Sequence, residues 1–311
     1  MGKLLVCGNL NIDRILEIEY LPHDGQSAPV HSQRIVFGGC GGNISSAAAK
    51  LGIPVVLSSV VGADLDPRYR ELLERTGVDL SGLVVDPELP SPCCTVLSAP
   101  DGHQAYAFMM GAMNKQSGID IPPSDGVQYL HIATSSPEFC LKVSGHFGKK
   151  GIPVGFDPGQ EIYFRWKGPE VKKVLGNSNR FFGNLGEWEY LMDILDIEWQ
   201  EKSVGHVVYP FSRPVFGMID EAVVTLGRRG SMLINKDGAV LCEPVEFGHH
   251  IDPTGAGDAF RGAFYAALMK GYSSVEAMKF GNAMGAVSIT SAGPQDYEMD
   301  WDGLQELAEK G

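Results

Sequence analysis

Short apolar runs bounded by Gly, Pro, Asn or Asp alternate along this chain with longer stretches whose apolar positions recur at helical spacing. The first run, Lys3–Cys7, shows no polar alternation after Lys3, as expected of a parallel strand buried on both faces. Residues 14–20 and 30–37 alternate in part around Pro22-His23-Asp24-Gly25 and read as a hairpin standing apart from the main sheet. An Ala-rich helix over 44–51, a strand over 54–61, a helix over 67–75 and a short strand over 82–86 follow. Residues 94–99 and 104–110 predict a second hairpin around Asp101-Gly102.

Farther along, strands over 129–133, 154–157, 180–184 and 221–226 are separated by helices over 137–149, 169–176 and 187–195. Such alternation predicts βαβ units, hence a mostly parallel sheet with helices on both faces. A hairpin from 231–234 and 239–242, then helices over 257–270, 275–290 and 301–309, complete an α/β fold. No tandem repeat or biased linker divides the chain, so a single domain over 1–311 is expected.

Composition narrows the class. With 44% hydrophobic and 20% charged residues the chain can bury a sizeable core. A net charge of −13 with no dense Lys/Arg run makes nucleic acid and anionic membranes unexpected partners. No apolar run reaches the ~18 residues that span a bilayer, and the N-terminal strand is too short for a signal peptide, so a cytoplasmic location is expected. Six cysteines without C-x-x-C spacing read as free thiols in a reducing compartment, with no structural zinc.

The candidate chemistry centres on Asp252-Pro253-Thr254-Gly255-Ala256-Gly257-Asp258, which opens an apolar-periodic helix. The Gly-Ala-Gly turn offers bare backbone N–H groups and a helix N-terminus, which together favour an anion. A carboxylate beside a bound phosphate is repelled by it. Asp258 therefore reads as a general base for a hydroxyl that attacks phosphorus, the alternative being a helix-start carboxylate with no further role. No G-x-x-x-x-G-K-[ST] is present, and Gly255-Ala256-Gly257 lacks the third glycine of G-x-G-x-x-G, which excludes a P-loop and disfavours a dinucleotide site.

A second glycine-entered helix follows Gly38-Gly39-Cys40-Gly41-Gly42-Asn43. Helix–sheet packing also favours glycine, but four in five positions point to close approach of a ligand. Asn11, Asp13, Asp157, Asn184, Glu187 and Thr225 fall at or just after strand ends, where open α/β sheets bind ligands, so one cleft is expected.

These motifs resemble, in family order and over essentially the whole chain, those of the PfkB or ribokinase-like carbohydrate kinases. Gly38-Gly39-x-Gly41-Gly42-Asn43 is similar to the first family signature and Asp252-x-Thr254-Gly255-Ala256-Gly257-Asp258 to the second. Asn184-Leu185-Gly186-Glu187 matches N-x-x-E, and Thr225-Leu226-Gly227-x-x-Gly230 matches T-L-G-x-x-G. The resemblance implies a three-layer α/β sandwich with a small β-sheet lid, formed by insertions over about 12–37 and 92–114. It implies transfer of the γ-phosphoryl group of ATP, with Mg2+, to a primary hydroxyl.

In that reading Asp258 is the base and Gly255, Ala256 and Gly257 form the anion hole. Asn184 and Glu187 organise magnesium and phosphates through water, and Thr225, Gly227, Gly230 and Asn282 contact the nucleotide. Asn11, Asp13, Gly38, Gly39 and Asn43 hold the sugar. Asp252, Thr254 and Ser288 lie by a K+ or other monovalent-cation site that some members have, and the lid pairs two subunits into a homodimer. Gly111-Ala112-Met113, Asp157-Pro158-Gly159-Gln160, Asp258-Ala259-Phe260-Arg261 and Gly293-x-Gln295 resemble prokaryotic adenosine and nucleoside kinases. Gln160 would then reach a base edge while Phe108 and the lid methionines cover its face. A ribokinase- or fructokinase-like sugar kinase is the same-class alternative, and a non-catalytic metabolite sensor a different one.

Overall fold

In the computed structural model, which describes residues 2–101 and 103–310, the chain begins with β1 (Lys3–Cys7), β2 (Asn11–Ile18), β3 (Val30–Gly38) and α1 (Cys40–Lys50). It continues through β4 (Val55–Gly62), α2 (Pro67–Thr76), β5 (Val78–Asp86), β6 (Cys93–Ser98), β7 (Gln104–Met109) and β8 (Val127–Ile132). Next come α3 (Pro137–Lys149), β9 (Val154–Phe156), α4 (Gly168–Leu175), β10 (Arg180–Asn184) and α5 (Leu185–Ile194). The remainder is β11 (Gln200–Val204), β12 (Val207–Phe211), β13 (Glu221–Thr225), β14 (Ser231–Asn235), β15 (Gly238–Cys242), α6 (Ala256–Met269), α7 (Ser274–Ser288) and α8 (Trp301–Lys310).

Nine strands form the main sheet in the order β15-β14-β13-β10-β9-β8-β1-β4-β5. All neighbours are parallel except β13–β14 and β14–β15. The unbroken apolar run of β1 has a direct cause. Leu4 and Val6 pack with α1, α2, α6, α7 and α8 on one face, while Leu5 and Cys7 pack with α3, α4 and α5 on the other. Helix, sheet and helix make the three layers expected.

Both early hairpins join one separate four-stranded sheet, β3-β2-β6-β7, antiparallel within each hairpin and parallel between β2 and β6. The turn expected at Asp101-Gly102 includes Gly102, which lies outside the described residues. Register aligns Val36, Asp13, Cys94 and Phe108 in one cross-strand row, so Phe108 shares a face with Asp13.

Four elements differ from the sequence reading. α1 starts at Cys40, four residues before the expected helix, so Gly41, Gly42 and Asn43 lie within it. β2 starts at Asn11, so Asn11 and Asp13 are strand residues. β5 runs from Val78, directly after Gly77 stops α2 in the left-handed region, φ 97°. As the edge strand it leaves Asp79 and Ser81 in solvent, which hides its period. The β11–β12 hairpin was not anticipated, because Gln200-Glu201-Lys202-Ser203 carries no apolar alternation.

Candidate active site

Helix α6 opens on Gly255 in the left-handed conformation, φ 80°, and a Cβ there would stand 2.4 Å from the Pro294 side chain. Glycine is thus required at the turn, and the first N–H groups of α6 lack acceptors within the helix. Gly262, farther along α6, lies so close to α1 that a Cβ would meet Ala47 at 2.5 Å and the Ile44 carbonyl at 2.8 Å. This close helix approach brings Asn43 of α1 to Asp258 of α6, and Asn43 Nδ2 donates to Asp258 Oδ2 at 2.8 Å.

Asp258 is half-buried, and burial raises its carboxyl above the usual range, against the opposing pull of Arg261 and the Asn43 hydrogen bond. Behind it Arg261 Nη1 donates to the Gly257 carbonyl at 2.8 Å, and the guanidinium forms a buried ion pair with Asp157. Burial opposes the Arg261 charge, but Asp157, Asp258 and Glu187 hold it protonated. Burial alone would raise Asp157; Arg261 and His131 bring it below its ordinary value. His131, fully buried on β8, has Nδ1 3.2 Å from the Tyr265 hydroxyl and Nε2 3.6 Å from Asp157, and burial lowers its pKa.

Asn9, Asn11 and Asp13 form a relay. Asn9 Nδ2 donates to Asn11 Oδ1 at 3.0 Å, and Asn11 Nδ2 donates to Asp13 Oδ1 at 2.5 Å. Burial pushes the Asp13 carboxyl up to about 6. The glycines before Asn43, expected to let a ligand approach closely, are also tightly packed against the protein itself. A Cβ on Gly38 would meet Asp13 Oδ2 at 2.9 Å, on Gly39 Asn11 Oδ1 at 2.6 Å, on Gly41 the Gly8 backbone at 2.8 Å and on Gly42 the Tyr69 hydroxyl at 2.1 Å. Packing accounts for all four, and by that packing they hold Asn11, Asp13 and Asn43 together.

At the carboxyl ends of the next strands, Asn184 of β10 pairs in register with Thr225 of β13. Asn184 Oδ1 accepts from the Glu187 N–H at 2.9 Å and Glu187 Oε2 accepts from the Asn184 N–H at 2.8 Å, a capping box for α5. Glu187 is buried and raised, first by burial and then by Asp157 and Asp258, which places it within electrostatic reach of Asp258. Gly227 has φ 61° with open space around its Cβ direction, whereas a Cβ on Gly230 would stand 2.2 Å from the Cys242 carbonyl. Asn282 spends its amide donors on the carbonyls of Cys242 (3.2 Å) and Glu243 (2.8 Å). Phe108 and Gln160 are exposed.

Of the three residues associated with a monovalent cation, Asp252 accepts from the Thr254 N–H at 2.9 Å and Ser288 Oγ donates to the Gly285 carbonyl at 2.9 Å. Arg34 of β3 reaches the same place: Nη2 lies 3.7 Å from Asp252 and Nη1 donates to the Ala292 carbonyl at 2.7 Å. Sequence reasoning gave no role to Arg261, Gln295 or Tyr69. The i, i+3 spacing of Asp258 and Arg261 was a usable signal; nothing local marks Tyr69.

A glycine-opened helix beneath a half-buried carboxylate, at the carboxyl ends of a mostly parallel sheet with a separate β-sheet beside it, defines a class of small-molecule phosphotransferases. The chain belongs to the pfkB family of carbohydrate kinases, whose pattern matches residues 1–301. It is 28% identical over 311 residues to the nucleoside kinase of Methanocaldococcus jannaschii, covering 100% of this chain and 98% of that one. The crystal structure of the M. jannaschii nucleoside kinase superposes with a TM-score of 0.89, covering 100% of this chain and 99% of that one. The ribokinase of Haemophilus influenzae is 24% identical over 301 residues, 94% of each chain. In fold, the chain also matches Burkholderia thailandensis nucleoside kinase in complex with inosine, at a TM-score of 0.83 and 23% identity over 99% of this chain and 97% of that one.

Proposed function

We propose that this protein phosphorylates the primary 5′-hydroxyl of a nucleoside, most readily adenosine, using ATP and Mg2+. That it is a kinase acting on a hydroxyl of a nucleoside or sugar follows from its family and relatives. The observation that carries the mechanism is Asp258, held by Asn43 at 2.8 Å in the first turn of α6. Asp258 accepts the proton of the attacking hydroxyl as the P–O bond forms, and the opening N–H groups of α6 meet the charge that collects on the phosphoryl oxygens. No covalent intermediate is needed. Asn11 and Asp13 offer an amide and a carboxylate to ribose hydroxyls, and Phe108, on the same face as Asp13, covers an aromatic base that Gln160 meets at its edge.

The residues present fit magnesium. Glu187 commits Oε2 to its cap and keeps Oε1, and hard oxygen donors acting through water suit this ion. Bound magnesium neutralises phosphate charge. A K+ ion fits less well, because the Arg34 guanidinium already serves Asp252 and the Ala292 carbonyl, so turnover in choline chloride should match that in KCl. Exposed Val30, Ile35 and Tyr106 on the smaller sheet support a homodimer paired there, which light scattering after gel filtration checks.

A coupled ADP-release assay with ATP and Mg2+ against adenosine, other nucleosides, ribose and fructose decides the acceptor. Turnover with adenosine and little with free sugars is expected. Turnover with a free sugar alone removes the nucleoside reading and leaves the base in place, and silence on every acceptor favours a sensor.

A further inference from the structure

We infer that Gln295 is a positioning residue, fixing which way the Asn43 amide points and thereby which atom meets Asp258. The inference rests on the kinase reading only for its kinetic consequences. The Gly38 carbonyl can only accept a hydrogen bond. The Tyr69 hydroxyl donates to it at 2.7 Å, so the Tyr69 oxygen must act as acceptor toward its other partner. That partner is Gln295 Nε2, at 2.9 Å. The same NH2 donates to Asn43 Oδ1, also at 2.9 Å. With Oδ1 engaged, the Asn43 NH2 is left to face Asp258, which it does at 2.8 Å.

Every link is directional, and an inversion at Gln295 would set two acceptors against each other twice. Tyr69, Gln295 and Asn43 are all buried, so water is not at hand to relax the order. The arrangement leaves Gln295 Oε1 buried without a partner, which is what an amide held by its donor side looks like. Its backbone is pinned as well: Lys50 Nζ donates to the Gln295 carbonyl at 2.8 Å and to that of Tyr297, and lies 4.4 Å above the Tyr297 ring. Tyr69 is set by stacking on Phe37, with ring centroids 4.7 Å apart and 5° between planes.

The test exchanges donor for acceptor without changing shape. In Gln295→Glu the NH2 is lost and the Asn43 amide turns, presenting its oxygen to Asp258. The groups facing Asp258 from the packed elements are Arg261, Asp157, Glu187, Cys40, Tyr69 and Tyr297, all unchanged in the variant. We expect kcat to fall by about tenfold or more with KM for ATP within about twofold, and the acid limb of the kcat profile to move to higher pH. In an Asn43→Ala background the Gln295→Glu change should have little further effect on kcat, since the relay is already cut. Tyr69→Phe, which introduces no buried charge, should lower kcat in the same direction by a smaller factor.

A readout independent of turnover is the side-chain amide resonance of Asn43 in selectively 15N-labelled protein. It should move as Asp258 titrates in the wild type and lose that dependence in Tyr69→Phe or Gln295→Glu. An unchanged kcat and acid limb, additive losses in the Asn43→Ala background, or an Asn43 resonance indifferent to Gln295 and Tyr69 would each overturn the inference. If no acceptor is phosphorylated, the resonance still decides it.

Discussion

Asp13 and Asp258 are both carboxylates that burial pushes upward, yet they are asked for different things. In the proposed mechanism Asp258 must be ionised to accept the proton of the attacking hydroxyl, whereas Asp13 must be ionised to accept from two hydroxyls at once. With Asp13 raised from 3.8 to about 6, acceptor binding should weaken as pH falls through about 6, visible as a falling kcat/KM for the acceptor at constant KM for ATP. A pH-independent KM for the acceptor between pH 5 and 8 would contradict this role. The sign for stability is opposite to that of a salt-bridged Asp. A raised folded-state pKa contributes stability that is complete below the unfolded value and is lost as pH rises through about 6. Activity and stability therefore pull apart at this residue. The candidate role of Asp258 was legible from its place after Gly255-Ala256-Gly257, but its hydrogen-bond partner was not. Asn43 lies 215 positions away, and its expected duty was the sugar.

At the scale of elements, Gly262 of α6 lets that helix approach α1, while Gly41 and Gly42 of α1 make room for the Gly8 backbone and for Tyr69, and these contacts bring Asn43 to Asp258. Gly42 illustrates the balance. Alanine is the better helix former by about 1 kcal/mol, but a Cβ at 2.1 Å from the buried Tyr69 hydroxyl must displace it. Overpacking of this kind costs ~1–3 kcal/mol, so Gly42→Ala should lower the urea midpoint and also reduce kcat through Tyr69 and Gln295. Unchanged stability with full activity would show that Tyr69 has room to move. The glycines were visible in the sequence, but their neighbours were not, because packing is a tertiary property. Strands buried on both faces, such as β1, were read in place for the converse reason: burial on both sides leaves an apolar run that needs no context. The exposed edge strand β5 and the polar hairpin β11–β12 carry no such mark.

Over the whole molecule, the order of the strands places the ends of β1, β9, β10 and β13 along one border, with α6 closing it from one layer and the smaller sheet attached through β2 and β3. Arg34 of β3 reaches Asp252 and the Ala292 carbonyl, tying that sheet to the approach of the turn that opens α6. The proposed mechanism makes this border a site of general-base phosphoryl transfer with Asp258 as the base. The most direct test compares wild type and Asp258→Asn for ADP formation with saturating ATP–Mg2+ and the best acceptor, alongside acceptor binding by calorimetry. Removing the base should lower kcat by about 10²–10⁴-fold while the acceptor Kd stays within about threefold. A variant that keeps most of its turnover would contradict the account.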